Sequence, residues 1–222
     1  MKNAIKKILS FLMTISVPVL ISVLSILILL SPMFMNLEYN RPGFPPDEYG
    51  FTTQERLLFG NQTRQYLITN MALANLEELR FKNGEPIYIE RELQHLEDVK
   101  IVLRGVLNVF WVAVIVTIIG TLFAHYQAWW DGYKRALSRG GWLTTALLGT
   151  VLVLSIVSFQ ALFTNFHLIF FEGSSWLFYY SDTLIRLFPI RFWQDIFLVL
   201  GITTLSGGIL VGWLLKDRRD NN

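Results

Sequence analysis

Very few side chains in this chain could do chemistry. Its 222 residues include three histidines and no cysteine. Without a thiol there is no disulfide, no thiolate nucleophile, no Cys-bound zinc and no iron–sulfur cluster. H-E-x-x-H, P-loop and G-x-S-x-G patterns are absent as well. Acid–base work therefore falls to histidines and carboxylates. His95 lies in the segment ELQHLED, with Asp98 one helical turn on. From that position a carboxylate can reach the imidazole, fix its tautomer and raise its basicity; a solvated helix face is the plainer alternative. His167 has Phe163, Phe170 and Phe171 on its helical face. Burial among rings disfavours the imidazolium and leaves a neutral base, although a histidine packed purely for structure would have the same neighbours. His125, beside Tyr126, Trp129 and Trp130, reads as a helix-end residue at a membrane boundary.

The remaining ionisable groups of interest share one aromatic-rich stretch, 163–193. It holds Glu172, Asp182, Arg186 and Arg191 among Trp176, Phe178, Tyr179 and Tyr180. Charges mixed with amphipathic rings between apolar runs mark a membrane–water interface, where ionisable groups tend to be functional. Asp182 and Arg186 are four apart, the spacing of an ion pair on one helix; alternatively Arg186 holds a lipid glycerol or peptide carbonyl oxygen. The aromatics anchor the interface or wall a pocket. No compact ligand spacing gathers His95, His167 and carboxylates such as Asp98 around a metal, and neither a metal nor a cofactor is expected. The basic clusters are small, which gives nucleic-acid binding no support.

These residues must be positioned by a chain that is 53% hydrophobic and only 16% charged, far from the roughly 25% charge of soluble domains. The run 8–30, behind Lys2, Lys6 and Lys7, is too long for a signal h-region and lacks an A-x-A site, so it reads as a retained first transmembrane helix. The expected fold is an all-α integral membrane protein. It has four transmembrane helices, over 1–31, 104–125, 142–163 and 194–215, and a mainly helical extracellular cap over 32–103. A cytoplasmic loop over 126–141, an extracellular interfacial segment over 164–193 and a cytoplasmic tail over 216–222 complete it. In the cap, Thr52 and Glu55 form a capping-box signature. Apolar spacing suggests helices over 70–80 and from Glu90 onward, with Asn83-Gly84 as a turn. Basic clusters at the N-terminus, at Lys134–Arg139 and at Lys216–Arg219 would share the cytoplasmic side of a four-span protein. His95 and His167 are then expected to be neighbours at the outer face.

Several motifs are similar to those of one family. HLEDVK before a span, Phe166-His167 followed by Phe170-Phe171, Trp176, and D-x-x-IRLFP-x-x-FW from Asp182 to Trp193 resemble the lipoprotein intramolecular transacylases, small Gram-positive membrane proteins. The resemblance covers nearly the whole chain. It implies a diacylglyceryl-cysteine lipoprotein as substrate, at the outer leaflet of the bacterial plasma membrane. The sn-2 acyl chain would pass to the cysteine α-amino group and give the lyso-form. The family's catalytic histidines would fall on His95 and His167, with Asp98, Glu172, Trp176, Asp182 and Arg186 in support, and His95, backed by Asp98, favoured as base. Membrane lipid is the other implied partner; no stable protein partner is expected. A non-catalytic lipid-binding or accessory subunit, and another outer-leaflet acyltransferase or hydrolase, are the alternatives.

Overall fold

The structure, a computed structural model, describes residues 2–216; the basic residues Arg218 and Arg219 of the expected tail lie outside them. Nine helices are formed among the described residues: α1 Lys2–Leu29, α2 Pro32–Asn40, α3 Thr53–Ile68, α4 Ala74–Glu77, α5 Glu90–Tyr126, α6 Trp130–Val157, α7 Phe159–Phe170, α8 Thr183–Leu187 and α9 Ile190–Leu214. An isolated bridge between Arg80 and Pro86 is the one β feature described. Four helices, α1, α5, α6 and α9, are long and apolar enough to cross a bilayer. The fold is thus all-helical and of the integral membrane type, as the hydropathy pattern requires. Helix α5 has 37 residues, about 55 Å at the α-helical rise, against ~30 Å of hydrocarbon. Its charged side chains all precede Gly105, so the span is its later part and His95 lies outside it.

The chain divides into two compact units. One consists of the chain up to Leu27, Val106–Val157 and the chain from Phe197. In lipid no hydrophobic force draws apolar helices together, so close backbone approach through small residues takes its place. A Cβ on Gly141 would lie 2.4 Å from the Gly212 nitrogen and 2.6 Å from the Gly208 carbonyl, so α6 and α9 meet backbone to backbone. Ser138 Oγ adds a 2.7 Å bond to the Gly212 carbonyl. Gly120 receives the side chain of Met13, which is wholly buried. Outward, Trp111, Ile115, Ile118 and Leu122 are exposed, the apolar surface that a bilayer would cover.

The second unit, Ile28–Gly105 and Ser158–Ile196, carries the candidate site. Its core joins Phe51, Tyr66, Leu76, Ile87, Tyr88 and Leu96 to Leu184 and Leu187 of α8. Ser31 caps α2, accepting from the Phe34 nitrogen, with Pro32 at the first helical position. The capping box of α3 forms as expected, Thr52 and Glu55 each accepting from the other's backbone. The Asn83-Gly84 turn also forms, with Gly84 at φ +88°. Its closure by Phe81 N to the Glu85 carbonyl at 2.8 Å brings Ile87 back to Leu79.

Three element boundaries differ from expectation. The helix over 70–80 shrinks to the single turn α4, because Thr69 closes α3 and the chain from Leu79 turns back on itself. The polar connector 126–141 is mostly helix: α6 starts at Trp130, since Lys134, Arg135 and Arg139 end an apolar run without breaking a helix. The apolar run 142–163 is two helices, because Ser158 leaves helical geometry and its Oγ accepts from the Ala161 nitrogen at 3.3 Å, starting α7 afresh. With 12 residues, about 18 Å long, α7 is too short to cross a bilayer.

Candidate active site

The two histidines come from sequence positions 72 residues apart, on α5 and α7, yet their rings lie 6.1 Å apart between centroids and nearly parallel, at 23°. Both are buried, at 9% and 8% exposure. His95 meets Phe171 at 4.9 Å and Phe178 at 5.4 Å, both edge-on. His167 packs on Phe163 at 4.2 Å, on Trp176 at 4.8 Å and on Phe171 at 5.5 Å. Expected at one face, the pair is in contact distance of one shared ring, Phe171.

Their hydrogen bonding differs. His167 Nδ1 lies 2.7 Å from the carbonyl of Phe163, one turn earlier on α7. A carbonyl only accepts, so Nδ1 carries the proton and Nε2 the lone pair. His95 Nδ1 is buried with no hydrogen-bond partner among the described residues. The expected support from Asp98 is therefore not made. The His95 ring is turned into Phe171 and Phe178, and spacing along a helix does not fix that direction. Burial drives the His95 pKa down to about 4, with repulsion from His167 adding to it. His167 is also lowered by burial, opposed by its bond to the Phe163 carbonyl. Both rings are neutral at pH 7.

The expected Asp182–Arg186 pair is not formed either. Asp182 is the N-cap of α8, with extended backbone, and although the Arg186 nitrogen closes the first turn on its carbonyl at 3.1 Å, its carboxylate turns away from the Arg186 side chain. Its Oδ2 accepts from the Tyr179 nitrogen and from Arg91 Nη2, each at 2.8 Å. Arg186 instead donates to Asp47, Nη2 to Oδ2 at 3.0 Å, and to the Tyr49 carbonyl at 3.2 Å. Its guanidinium lies 3.9 Å from the Phe51 ring centre. Those bonds tie loop 41–52 to α8. Glu172 is exposed and lines, with Glu90, Arg91, Gln94, Ser174 and Ser175, a recess of about 470 Å³. Trp176 is the one predicted supporting residue packed against a histidine ring, tilted by 31°; its Nε1 is buried without a partner among the described residues.

Sequence reasoning missed two residues that shape the site, Arg91 and Glu92, and named Phe178 only as an interfacial anchor or pocket wall. Phe178 flanks His95 and carries Arg91 on its ring at 5.4 Å. Glu92 is 1% exposed, accepting from the Ile89 nitrogen at 2.9 Å and the Leu184 nitrogen at 2.6 Å. Its burial raises its pKa against those bonds. Glu92 thereby clamps the start of α5, and so His95 three residues on, to α8. Arg91 and Glu92 stand one turn before His95, a proximity visible in the sequence; their partners were not.

The class defined so far is an all-helical membrane protein with two neutral, aromatic-walled histidines. Comparison with known proteins narrows it. The family model for the lipoprotein intramolecular transacylase Lit matches residues 8–193. A protein of Aquifex aeolicus described as uncharacterized is 32% identical over 208 residues, covering 93% of this chain and 92% of that one. The membrane-integral Lit of Bacillus cereus has a similar fold: TM-score 0.76, 18% identity, 96% of this chain and 94% of that chain. A form of it substituted at a histidine aligns at TM-score 0.69, again with 18% identity and covering 96% of this chain and 93% of that one. The chain belongs to the lipoprotein intramolecular transacylase Lit family.

Proposed function

We propose that this protein transfers the sn-2 acyl chain of a diacylglyceryl-cysteine lipoprotein to the cysteine α-amino group, with His167 as base and His95 as hydrogen-bond donor. Family membership makes it a lipoprotein transacylase; the observation behind the roles is the hydrogen bond from His167 Nδ1 to the Phe163 carbonyl. That bond leaves Nε2 with a lone pair and holds the ring in place. The α-amino group has an ordinary pKa of about 7.7–8.0, within reach of a mild neutral base. As its nitrogen attacks the ester carbonyl, His167 Nε2 takes a proton from it and a tetrahedral oxyanion forms. Collapse breaks the bond to the glycerol oxygen, which takes the same proton back from His167 as an amide remains. Neutral His95 donates to the oxyanion through a ring N–H. No enzyme nucleophile is needed, in keeping with the missing cysteine. Nucleophile and ester belong to one molecule, so the rings of Phe171, Phe178 and Trp176 would act by holding a folded substrate.

The reading also assigns sides. The N-terminus, 126–141 and the tail would face the cytoplasm, and 32–103 with 164–193 the outside, where mature lipoproteins reside. The basic clusters support this.

The test is mass spectrometry of lipoprotein N-termini from a host without other N-acylation. Wild type should yield the N-acyl lyso-form. His167→Ala and His95→Ala, at equal protein level, should lower it by about 10²–10⁴-fold and 10²–10³-fold respectively. Wild-type product from both would overturn the reading and favour a lipid-binding accessory role.

A further inference from the structure

The first unit contains a concave site whose lining includes neither candidate histidine. Helices α1 and α6 touch where a Cβ on Gly140 would lie 2.7 Å from the Thr14 carbonyl, and Thr14 Oγ1 donates to the Ala136 carbonyl at 3.1 Å. Nearer their N-termini they diverge around a cavity of about 410 Å³. Lys6, Lys7, Arg135 and Arg139 line it, and no carboxylate does among the described residues. Arg139 crosses it: Nη2 donates to Ser10 Oγ at 2.7 Å and Nε to the Arg135 carbonyl at 3.2 Å, which holds the guanidinium in place. Lys6, Lys7 and Arg139 bring like charge around one recess, which is unfavourable until an anion joins them.

The cavity's position selects among anions. It sits where two spans begin, so it lies at a membrane boundary. Phe11, 64% exposed, forms part of its wall, and Ile8 beside it is 59% exposed. A free anion would use the cations and ignore that apolar flank; a lipid uses both. We propose that this cavity binds the phosphate headgroup of an anionic phospholipid, its acyl chains lying along Phe11. A zwitterionic lipid offers the same phosphate, but its own cation opposes the lysines. The site is independent of the transacylase reading.

The experiment titrates the purified full-length protein in neutral detergent with dioleoyl phosphatidylglycerol, phosphatidylcholine or inorganic phosphate. Thermal midpoint and lipid retained in native mass spectrometry are the readouts. Phosphatidylglycerol should raise the midpoint saturably and remain as a one-lipid adduct, while the other two do neither. Lys6→Gln combined with Lys7→Gln should weaken the effect about tenfold or more, and Arg139→Gln similarly, with lipid-free midpoints as the folding control. The lysine pair makes no structural bond described here, so it reports even if Arg139→Gln misfolds. Equal stabilisation by phosphatidylcholine, a full effect of phosphate alone, or an undiminished phosphatidylglycerol shift in the lysine variant would each overturn the proposal.

Discussion

At the scale of single residues, two imidazoles in one aromatic setting are given different work by one hydrogen bond. Glutamine separates the roles, because it donates a hydrogen bond but accepts no proton at neutral pH. His95→Gln should therefore lose only about tenfold, while His167→Gln should lose about 10²–10⁴-fold, both read as lyso-form per unit protein. The pH profile carries the same logic. Both histidines titrate below their usual range, so kcat/KM should rise with the substrate amine through about pH 8 and show no break near 6.5, the ordinary histidine value. A fall centred there would place an unperturbed histidine in the reaction. The depressed pKa values also bear on folding. Below about pH 6.5 the unfolded chain takes up protons that the folded site refuses, so this pair contributes a loss of stability as pH falls toward 4. The candidate histidines were legible because they are scarce and the expected topology puts both on one side. The partners of Asp98, Asp182 and Arg186 were not, because helical spacing assumes both residues share a helix and point the same way.

At the scale of elements, what the sequence exposes is local chemistry. The capping box of α3 and the turn at Gly84 are complete within a few residues and form as read. The break at Ser158 is equally local, yet serine occurs harmlessly inside apolar helices, as Ser16 and Ser25 do in α1 by bonding to carbonyls one turn back. Hydropathy cannot tell these uses apart. Nor does it reveal the junction of α2 and α9, where Glu38, Arg41, Arg191 and Asp195 meet. Arg41 bonds Asp195, Arg191 Nε reaches the same oxygen at 2.8 Å, and Arg41 Nε lies 3.2 Å from Glu38. Burial, then the hydrogen bond and charge of Asp195, raise the Glu38 pKa to about 7, against the pull of both arginines. The folded state holds this proton between the unfolded value near 4.5 and about 7, so Glu38 costs stability as pH rises through that window. Glu38→Gln keeps a donor toward Asp195 without the charge. It should raise the thermal midpoint by a few degrees at pH 8 and leave it nearly unchanged at pH 4.5, as scanning fluorimetry in detergent would read.

At the scale of the whole molecule, stability rests on two unlike solutions: a protein-like core in one unit and small-residue backbone contact in the other. Composition alone made the four spans legible; which glycines carry contact was not, because a glycine looks the same wherever it stands. The distinction is testable. Gly141→Ala must push the α6 and α9 backbones apart and should cost roughly 1–3 kcal/mol. Gly105→Ala, mid-helix with nothing within 4 Å of its new methyl, should gain about 0.5–1 kcal/mol. Denaturant titration of the two variants in one detergent compares them directly. A solved structure shares this fold at 18% identity. Here the bond from His167 to the Phe163 carbonyl takes on a different significance. Its acceptor belongs to the main chain, so no substitution of side chain 163 deletes it and no pair of positions needs to covary to keep it. The orienting group of the proposed base is inherited as the pitch of α7, and a mutational scan of side chains would pass over it.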